Sequence, residues 1–355
     1  MIYPRMSSTA TASCMSTFLE FNGPRWIFTI AVAAAAFAVG HFGTPYCKAF
    51  AWDDESINMP SVAQETFANW TLALIVAVPI LLQALVILAL PPHSSQLAQP
   101  PSLPSSSSPA NVPMMAAMTQ RRRLLLEINT WTLVQLQSLM LQVMFVETMK
   151  LYAGRLRPDF LDRLRATGLT PATGLHYHCE LMSNAVVREG RLSFPSGHAS
   201  TSFAAMVPLT VFLMHYLRPW FYGCIVRLVV CILPLGFAFV VAISRTRDNL
   251  HHFSDILAGS LIGVFAAIGA CLVNVQYSSA NGDYTPIKLT TDQLQRAQRL
   301  TSRLAQQQQQ QHRPLRDDIS SSSAVGSVIP LIPSSISTQP LHRSPTSFSR
   351  SESYL

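Results

Sequence analysis

The stretch WTLALIVAVPILLQALVILAL, residues 70–90, contains no charged residue. An α-helix needs about 20 consecutive apolar residues to cross the hydrocarbon core of a bilayer. This stretch therefore predicts a transmembrane helix, and it makes a membrane fold the first hypothesis for the rest of the chain.

The composition of the whole chain agrees with that hypothesis. Of the 355 residues, 49% are hydrophobic and only 12% are charged, whereas a soluble domain is about 25% charged. The net charge of +7 would suggest nucleic acid in a soluble protein. Here the basic residues cluster beside apolar runs, which favours membrane lipids as partners and no nucleic acid. We expect an all-α integral membrane protein.

Apolar stretches near or above spanning length recur along the chain, at roughly 26–44, 70–91, 125–148, 201–217, 224–243 and 256–276. The third is the weakest because it contains several Gln and Glu residues. Its Gln135, Ser138 and Gln142 have the spacing i, i+3, i+7, so they share one helix face that could point into the interior of a helix bundle. The alternative is an amphipathic helix lying on the membrane. Length favours a six-transmembrane helix bundle.

The segments outside the bundle are polar. We expect residues 1–24 to form an N-terminal segment and residues 25–278 to form the membrane domain. The 92–123 loop is rich in Pro and Ser, and the 279–355 tail is rich in Gln and Ser. Such compositions cannot bury enough apolar surface to fold, so the tail is predicted to be disordered.

Charge predicts the orientation of the bundle. Lys and Arg prefer cytoplasmic loops, and Arg121, Arg122 and Arg123 precede the third apolar stretch while further basic residues follow the last. The N-terminal segment, the 92–123 loop and the tail are therefore predicted to be cytoplasmic. The 45–69, 150–200 and 244–255 segments are then exoplasmic. The 150–200 segment is nevertheless basic, which an anionic ligand would explain.

Three polar motifs lie in those exoplasmic segments. The first is KLYAGRLRP, residues 150–158. Lys150 and Arg157 are seven residues apart and would share a face if the helix continued beyond the third stretch. Arg offers a planar fork for phosphate oxygens and Lys a point charge. The alternative is that both cations only lie at the end of a transmembrane helix and extend their side chains toward the membrane surface.

The second motif is FPSGHAS, residues 194–200. Ser196 can cap the N-terminus of the fourth predicted helix. Gly197 would then present backbone N–H groups to an anion, and His198 would lie in the first turn. The alternative is a plain helix cap with an incidental histidine.

The third motif is SRTRDNLHHFSD, residues 244–255. His251 and Asp255 have the i, i+4 spacing that lets them meet on one face. An Asp that accepts from one ring nitrogen leaves the other nitrogen nucleophilic. Spacing does not exclude His252, and a structural His–Asp pair or a metal site stays open. Few carboxylates stand near the motifs, which disfavours a metal–phosphate site.

Taken together, the three motifs resemble the tripartite signature of the type 2 phosphatidic acid phosphatase (PAP2) superfamily, which includes the lipid phosphate phosphatases. The resemblance covers about residues 26–276 and all three motifs in order. The stretch KAFAWDDESINMP, residues 48–60, also resembles the acidic stretch between the first two helices of eukaryotic members.

The resemblance implies a hydrolase with a histidine nucleophile. His251 would attack phosphorus and form a phosphohistidine, Asp255 would orient it, and His198 would protonate the leaving alkoxide. The residues implied to hold the phosphoryl oxygens are Lys150, Arg157, Ser196, Gly197 and Arg245. We expect no cofactor and no metal. Phosphatidic acid is the default substrate, with related lipid phosphate monoesters left open.

Several alternatives remain beside this interpretation. A catalytically silent relative that binds lipid or acts as a scaffold should lack catalytic residues, yet both histidines and the aspartate are present. A transporter should carry its charges inside the spans rather than at their rims. The plasma membrane and the endoplasmic reticulum fit equally, and a homo-oligomer stays open. Cys47 and Cys179 are the cysteines in exoplasmic loops, so we predict that they form a disulfide.

Overall fold

The computed structural model describes residues 21–90, 111–278 and 283–287. The predictions for residues 1–20, for most of the Pro/Ser-rich loop and for nearly all of the tail lie outside the described residues. The helices are, in chain order, α1 Gly23–Phe42, α2 Thr71–Ala89, α3 Asn111–Ala153, α4 Phe160–Ala166, α5 Ala185–Gly190, α6 Gly197–Leu217, α7 Pro219–Tyr222, α8 Ile225–Arg247 and α9 Phe253–Asn274. Strand β1 (Phe50–Ala51) pairs antiparallel with β2 (Leu175–His176), and β3 (Val275–Ser278) with β4 (Asp283–Pro286).

The all-α membrane class is confirmed. Within the described ranges, α1, α2, α6, α8 and α9 are long and apolar enough to cross a membrane. Large apolar side chains on these helices point away from the bundle, as Leu81 and Phe265 do with 68% and 67% exposure. Such a surface suits lipid rather than water. The third predicted stretch lies inside α3, which does not reach the same apolarity, so the count of six spans stays a prediction.

The polar row on α3 faces the bundle, as its spacing predicts. Gln135 Nε2 donates to the carbonyl of Ala205 at 3.0 Å, and Ser138 Oγ donates to that of Ala204 at 2.7 Å. Helix α3 packs against α1, α2, α6 and α9, and its Trp131 is fully buried. Polar side chains that bond across helices hold a bundle together in lipid. Helix α3 is therefore a member of the bundle.

Helix α3 begins earlier than the sequence suggests. Residues 111–123 were assigned to the Pro/Ser-rich loop but are helical. The Pro- and Ser-rich composition ends near Pro113, and the MMAAM stretch that follows, residues 114–118, consists of strong helix formers. The loop is therefore shorter than predicted.

Two glycines let α9 approach α6 closely. A Cβ at Gly259 would lie 2.4 Å from the carbonyl oxygen of Ser196, and a Cβ at Gly263 would lie 2.3 Å from that of Ser200. Only glycine allows the two backbones to come so near. This contact joins the helix start that carries His198 to the helix start that carries Asp255.

Two loops form a folded layer over one end of the bundle. Strands β1 and β2 join them, and Cys47 and Cys179 form the predicted disulfide with Cα atoms 5.8 Å apart. Arg191 is fully buried beneath this layer, where it donates to the carbonyls of Lys48 and Tyr177 and lies over the Phe160 ring. The layer brings together segments more than a hundred residues apart.

The three motifs meet below that layer. Helices α3 and α8 end there, and α6 and α9 begin there. The motifs are in direct contact, since Ser196 N donates to the carbonyl of Asp255 at 3.0 Å and Arg155 Nη1 donates to the Asp255 carboxylate. The alternation of long helices thus places the three polar motifs at one end of the bundle.

Candidate active site

A cavity of about 460 Å³ lies where the motifs meet. Of the predicted site residues, Lys150, Arg157, Gly197, His198 and His251 line it. Ser196, Arg245 and Asp255 do not line the cavity. Each lies next to a residue that does, namely Gly197, Glu65 and His251 respectively. One cavity therefore collects the reactive groups of all three motifs.

The second motif caps α6 as predicted. Ser196 is the N-cap, and its Oγ accepts from the Ala199 N–H at 3.4 Å. Gly197 opens the helix, and a Cβ there would lie 3.4 Å from Lys150 Nζ. The helix start thus lies beside the lysine ammonium, and its N–H groups and partial positive charge suit an anion.

His198 follows in the first turn and is 7% exposed. Its Nε2 is buried and has no hydrogen-bond partner among the described residues. Leaving a buried polar atom without a partner is costly, and a bound group in the cavity would remove that cost. The geometry leaves this ring nitrogen available to exchange a proton with a bound molecule.

His251 is oriented by a group that the sequence did not indicate. Its Nδ1 lies 2.7 Å from the carbonyl oxygen of Ser193. Because a carbonyl oxygen only accepts, Nδ1 must carry the hydrogen, and Nε2 keeps its lone pair. Burial lowers the pKa of His251 to about 4, although the nearby Asp255 carboxylate works against this shift. The neutral, nucleophilic ring is therefore the form present near pH 7.

Asp255 lies differently from the expectation. Its Oδ2 is 3.9 Å from His251 Nδ1, whereas it accepts from His252 N at 3.0 Å and lies 3.3 Å from His252 Nδ1. The reason is that α9 begins at Phe253, so His252 is the N-cap and forms a capping box with Asp255. His251 lies before the helix, and the i, i+4 face does not extend to it.

Two further groups hold the Asp255 carboxylate. Ser193 Oγ donates to its Oδ2 at 2.6 Å, and Arg155 Nη1 donates to its Oδ1 at 2.6 Å. Sequence reasoning assigned neither residue to the site. Arg155 was visible only as one more cation in a basic segment, and Ser193 acts partly through its backbone, which leaves no trace in a residue pattern.

Lys150 and Arg157 reach the cavity by a route other than a shared helix face. Helix α3 ends at Ala153, and Gly154 has a φ of +51°. A Cβ at Gly154 would lie 2.1 Å from the carbonyl oxygen of Tyr46, so only glycine fits this turn. The chain then turns back, and Arg157 N donates to the carbonyl of Gly190 at 2.8 Å.

Each predicted phosphate-binding cation has a carboxylate partner. Lys150 pairs with Glu147 at 2.9 Å, and Arg157 pairs with Glu189. Arg245 is fully buried and pairs with Asp248 at 2.8 Å and with Glu65 at 3.1 Å. An anion entering the cavity must therefore compete with these carboxylates for the cations.

The expectation that few carboxylates stand near the motifs is wrong in three dimensions. Glu65, Glu147 and Glu189 all line the cavity. All three lie outside the motifs in the sequence, and the proximity of Glu65 and Glu189 to the motifs depends on packing. Across the parts of the chain that the structure describes, no three His, Cys, Asp or Glu side chains are grouped to hold a metal ion.

Comparison with known proteins agrees with the motifs. The family model described as the PAP2 superfamily matches residues 131–278, which include all three. Diacylglycerol pyrophosphate phosphatase 1 of Saccharomyces cerevisiae is 35% identical over 135 residues, 35% of this chain and 44% of that protein. Lipid phosphate phosphatase 2 of Arabidopsis thaliana is 36% identical over 136 residues, 37% of this chain and 46% of that protein.

A longer match is to a putative phosphatidate phosphatase of Drosophila melanogaster. It is 30% identical over 248 residues, 64% of this chain and 61% of that protein. The chain thus spans less than two thirds of the length of each of these curated relatives. No solved structure matches the chain significantly. The motifs, the helical bundle and the matched residues agree, and residues 131–278 of this chain are similar to the PAP2 superfamily.

Proposed function

We propose that the protein is a lipid phosphate phosphatase, a membrane hydrolase that converts phosphatidic acid to diacylglycerol and phosphate. The observation that carries the proposal is the meeting of His198 and His251 with Lys150 and Arg157 in one cavity at the start of α6. The names of the relatives, which are lipid phosphate and phosphatidate phosphatases, support the same substrate class.

The first step forms a covalent intermediate. His251 Nε2 attacks phosphorus, the P–N bond forms, and the P–O bond to the lipid breaks. The leaving alkoxide takes a proton from Nε2 of protonated His198, which becomes neutral; this nitrogen has no other partner among the described residues. The Nδ1–H of His251 keeps its hydrogen bond to the Ser193 carbonyl, and this bond stabilises the ring as it gains positive charge.

The second step releases phosphate. Neutral His198 takes a proton from water, the water oxygen attacks phosphorus, and the P–N bond breaks. Phosphoryl transfer needs mainly positioning and charge stabilisation. The proposed contributors are Lys150, Arg157, Arg245, Ser196 and the Gly197 amide. Because these cations supply positive charge, we propose that turnover is independent of a metal.

The lipid would enter from the bilayer. Leu72, Val143 and Val146 line the same cavity on its α2 and α3 sides. They offer an apolar wall beside a polar phosphate site, as a lipid head group near the membrane surface requires. We propose that the site faces the exoplasmic side of the plasma membrane or the endoplasmic reticulum, as the charge pattern predicts.

The test is phosphate release from phosphatidic acid in detergent micelles containing EDTA. We expect activity in the wild type and a loss of at least about a thousandfold in His251→Ala. The matched control is His252→Asn, which keeps a good N-cap residue at the adjacent position and should retain most activity.

Each other outcome has a distinct meaning. A requirement for Mg²⁺ would overturn the metal-free mechanism. Loss of activity in His252→Asn but not in His251→Ala would mean that His252, and not His251, is the nucleophile. Folded wild-type protein that hydrolyses no lipid phosphate would support the silent lipid-binding alternative.

A further inference from the structure

A second polar pair lies in the cavity, one helical turn below the histidines. Gln142 Nε2 donates to Thr201 Oγ1 at 3.0 Å, so the pair joins α3 to α6. Both residues line the same cavity as His198 and Lys150. None of the phosphate chemistry above uses either side chain.

The Gln142 side chain is left incompletely bonded. Gln142 is 1% exposed, and its Oε1 is buried without a hydrogen-bond partner among the described residues. Leaving a buried acceptor unsatisfied is costly, and a donor that enters the cavity would remove this cost. The neighbouring polar residues of the α3 row, Gln135 and Ser138, instead donate to backbone carbonyls and do not line the cavity.

The position of this pair relative to the histidines defines which part of a substrate would meet it. Thr201 is three residues beyond His198 on α6, which places it roughly 4.5 Å further along the helix axis. His198 would stand at the ester oxygen. The carbon atoms of the leaving alcohol then extend past Thr201 and Gln142 toward the apolar wall formed by Leu72, Val143 and Val146.

We propose that Gln142 and Thr201 form a subsite for a hydrogen-bond donor on the carbon adjacent to the phosphorylated carbon. The subsite rests on the proposed function, because it places phosphorus at the histidines. Lipid phosphates with a free hydroxyl or an N–H at that carbon satisfy Gln142 Oε1. A diacyl lipid has an ester there and offers no donor. The subsite therefore favours monoacyl glycerol phosphates and sphingoid phosphates over phosphatidic acid.

The test compares lysophosphatidate with its 2-deoxy analogue, which differs only in the missing hydroxyl. The readout is the ratio of the two kcat/KM values, in which losses common to both substrates cancel. We expect a ratio of about ten in the wild type, the effect of one hydrogen bond to a buried acceptor. In Gln142→Met, which keeps the length of the side chain and removes the amide, the ratio should fall close to one.

Ser138→Ala is the matched control. It removes a hydrogen bond between the same two helices, outside the cavity, so the protein should lose stability but keep the ratio. Should Gln142→Met fail to fold, Thr201→Val keeps the shape of its side chain and removes the partner hydroxyl, and it should lower the ratio as well.

The outcomes separate this proposal from the proposed function. Equal ratios in the wild type and Gln142→Met, with normal hydrolysis, overturn the subsite alone. If the wild type hydrolyses no lipid phosphate, the phosphatase proposal falls, and the dissociation constants of the two lipids decide the subsite. Equal dissociation constants would overturn it too.

Discussion

Ser193 contacts both His251 and Asp255 of the proposed catalytic arrangement, with two different atoms. Its carbonyl accepts from His251 Nδ1 at 2.7 Å, and its hydroxyl donates to Asp255 Oδ2 at 2.6 Å. Asp255 lies 3.9 Å from the His251 ring. In this geometry the carbonyl selects the tautomer, and the carboxylate acts across a longer distance and through Ser193. The proposed nucleophile is therefore held by backbone as much as by side chain.

The environment of His251 predicts the acidic limb of the pH profile. Burial lowers the pKa of this ring to about 4, against about 6.5 for an unperturbed imidazole. A nucleophile must be neutral, so its activity is present above the lowered pKa and is lost as the pH falls through it. We expect kcat/KM corrected for substrate ionisation to persist below pH 6 and to fall near pH 4.

The measurement is kcat/KM for phosphatidic acid across the acidic range, with the second ionisation of the phosphate titrated in the same micelles. A corrected midpoint close to the ordinary imidazole value would show that His251 is not desolvated as the structure has it.

At the scale of elements, the contact between α6 and α9 controls the site. Gly263 faces the Ser200 carbonyl, and Gly259 faces the Ser196 carbonyl one turn away. Their spacing is that of a small-residue pair that lets two membrane helices pack closely. His198 lies in the first turn of one helix and Asp255 in the first turn of the other. An increase in helix separation must therefore move these two proposed catalytic groups apart.

We expect Gly263→Ala to damage both stability and activity. The added Cβ would lie 2.3 Å from the Ser200 oxygen and 3.0 Å from Phe203 Cβ. Overpacking of this kind costs about 1–3 kcal/mol. Thermal unfolding in detergent should show a lower midpoint, and phosphate release should fall with it.

Gly269→Ala is the control on the same helix, because nothing lies within 4 Å of its added Cβ. Alanine is the better helix former, so this variant should be as stable as the wild type or more so. Equal effects of the two substitutions would mean that close packing is not what Gly263 provides.

At the scale of the whole molecule, the disulfide joins the two loops above the cavity. Cys47 and Cys179 are 132 positions apart. The second loop continues to Gly190, whose carbonyl accepts from Arg157 N, and to Ser193. The bridge thus restrains the segment that positions both a proposed phosphate-binding cation and the proposed nucleophile.

Breaking the bridge should destabilise the protein and lower its activity. Loss of a native disulfide costs about 2–5 kcal/mol. We expect Cys179→Ser, or a reducing agent acting on the wild type, to lower the unfolding midpoint. Cys224→Ser removes a free cysteine of intermediate exposure and should change neither quantity. A reducing agent that leaves the midpoint unchanged would mean that the bridge does not stabilise the fold.

Much of this fold was predictable because its causes are local. Apolar length predicted the long helices, the i, i+3, i+7 spacing predicted the inward face of α3, and Ser196 predicted the start of α6. The helical start at Asn111 was missed because the Pro/Ser-rich composition of the loop dominated the stretch before the third apolar run.

The sequence by itself therefore determined the membrane class, the long helices and the three motifs, because hydrophobicity and capping act between near neighbours in the chain. Only the tertiary structure decided how the motifs combine. It brought Arg155 to Asp255, the Ser193 carbonyl to His251, Glu189 to Arg157 and Glu65 to Arg245. Several of these contacts join residues far apart in the chain, and their distances follow from helix packing at Gly259 and Gly263 and from the loop layer. No spacing along the sequence encodes such distances.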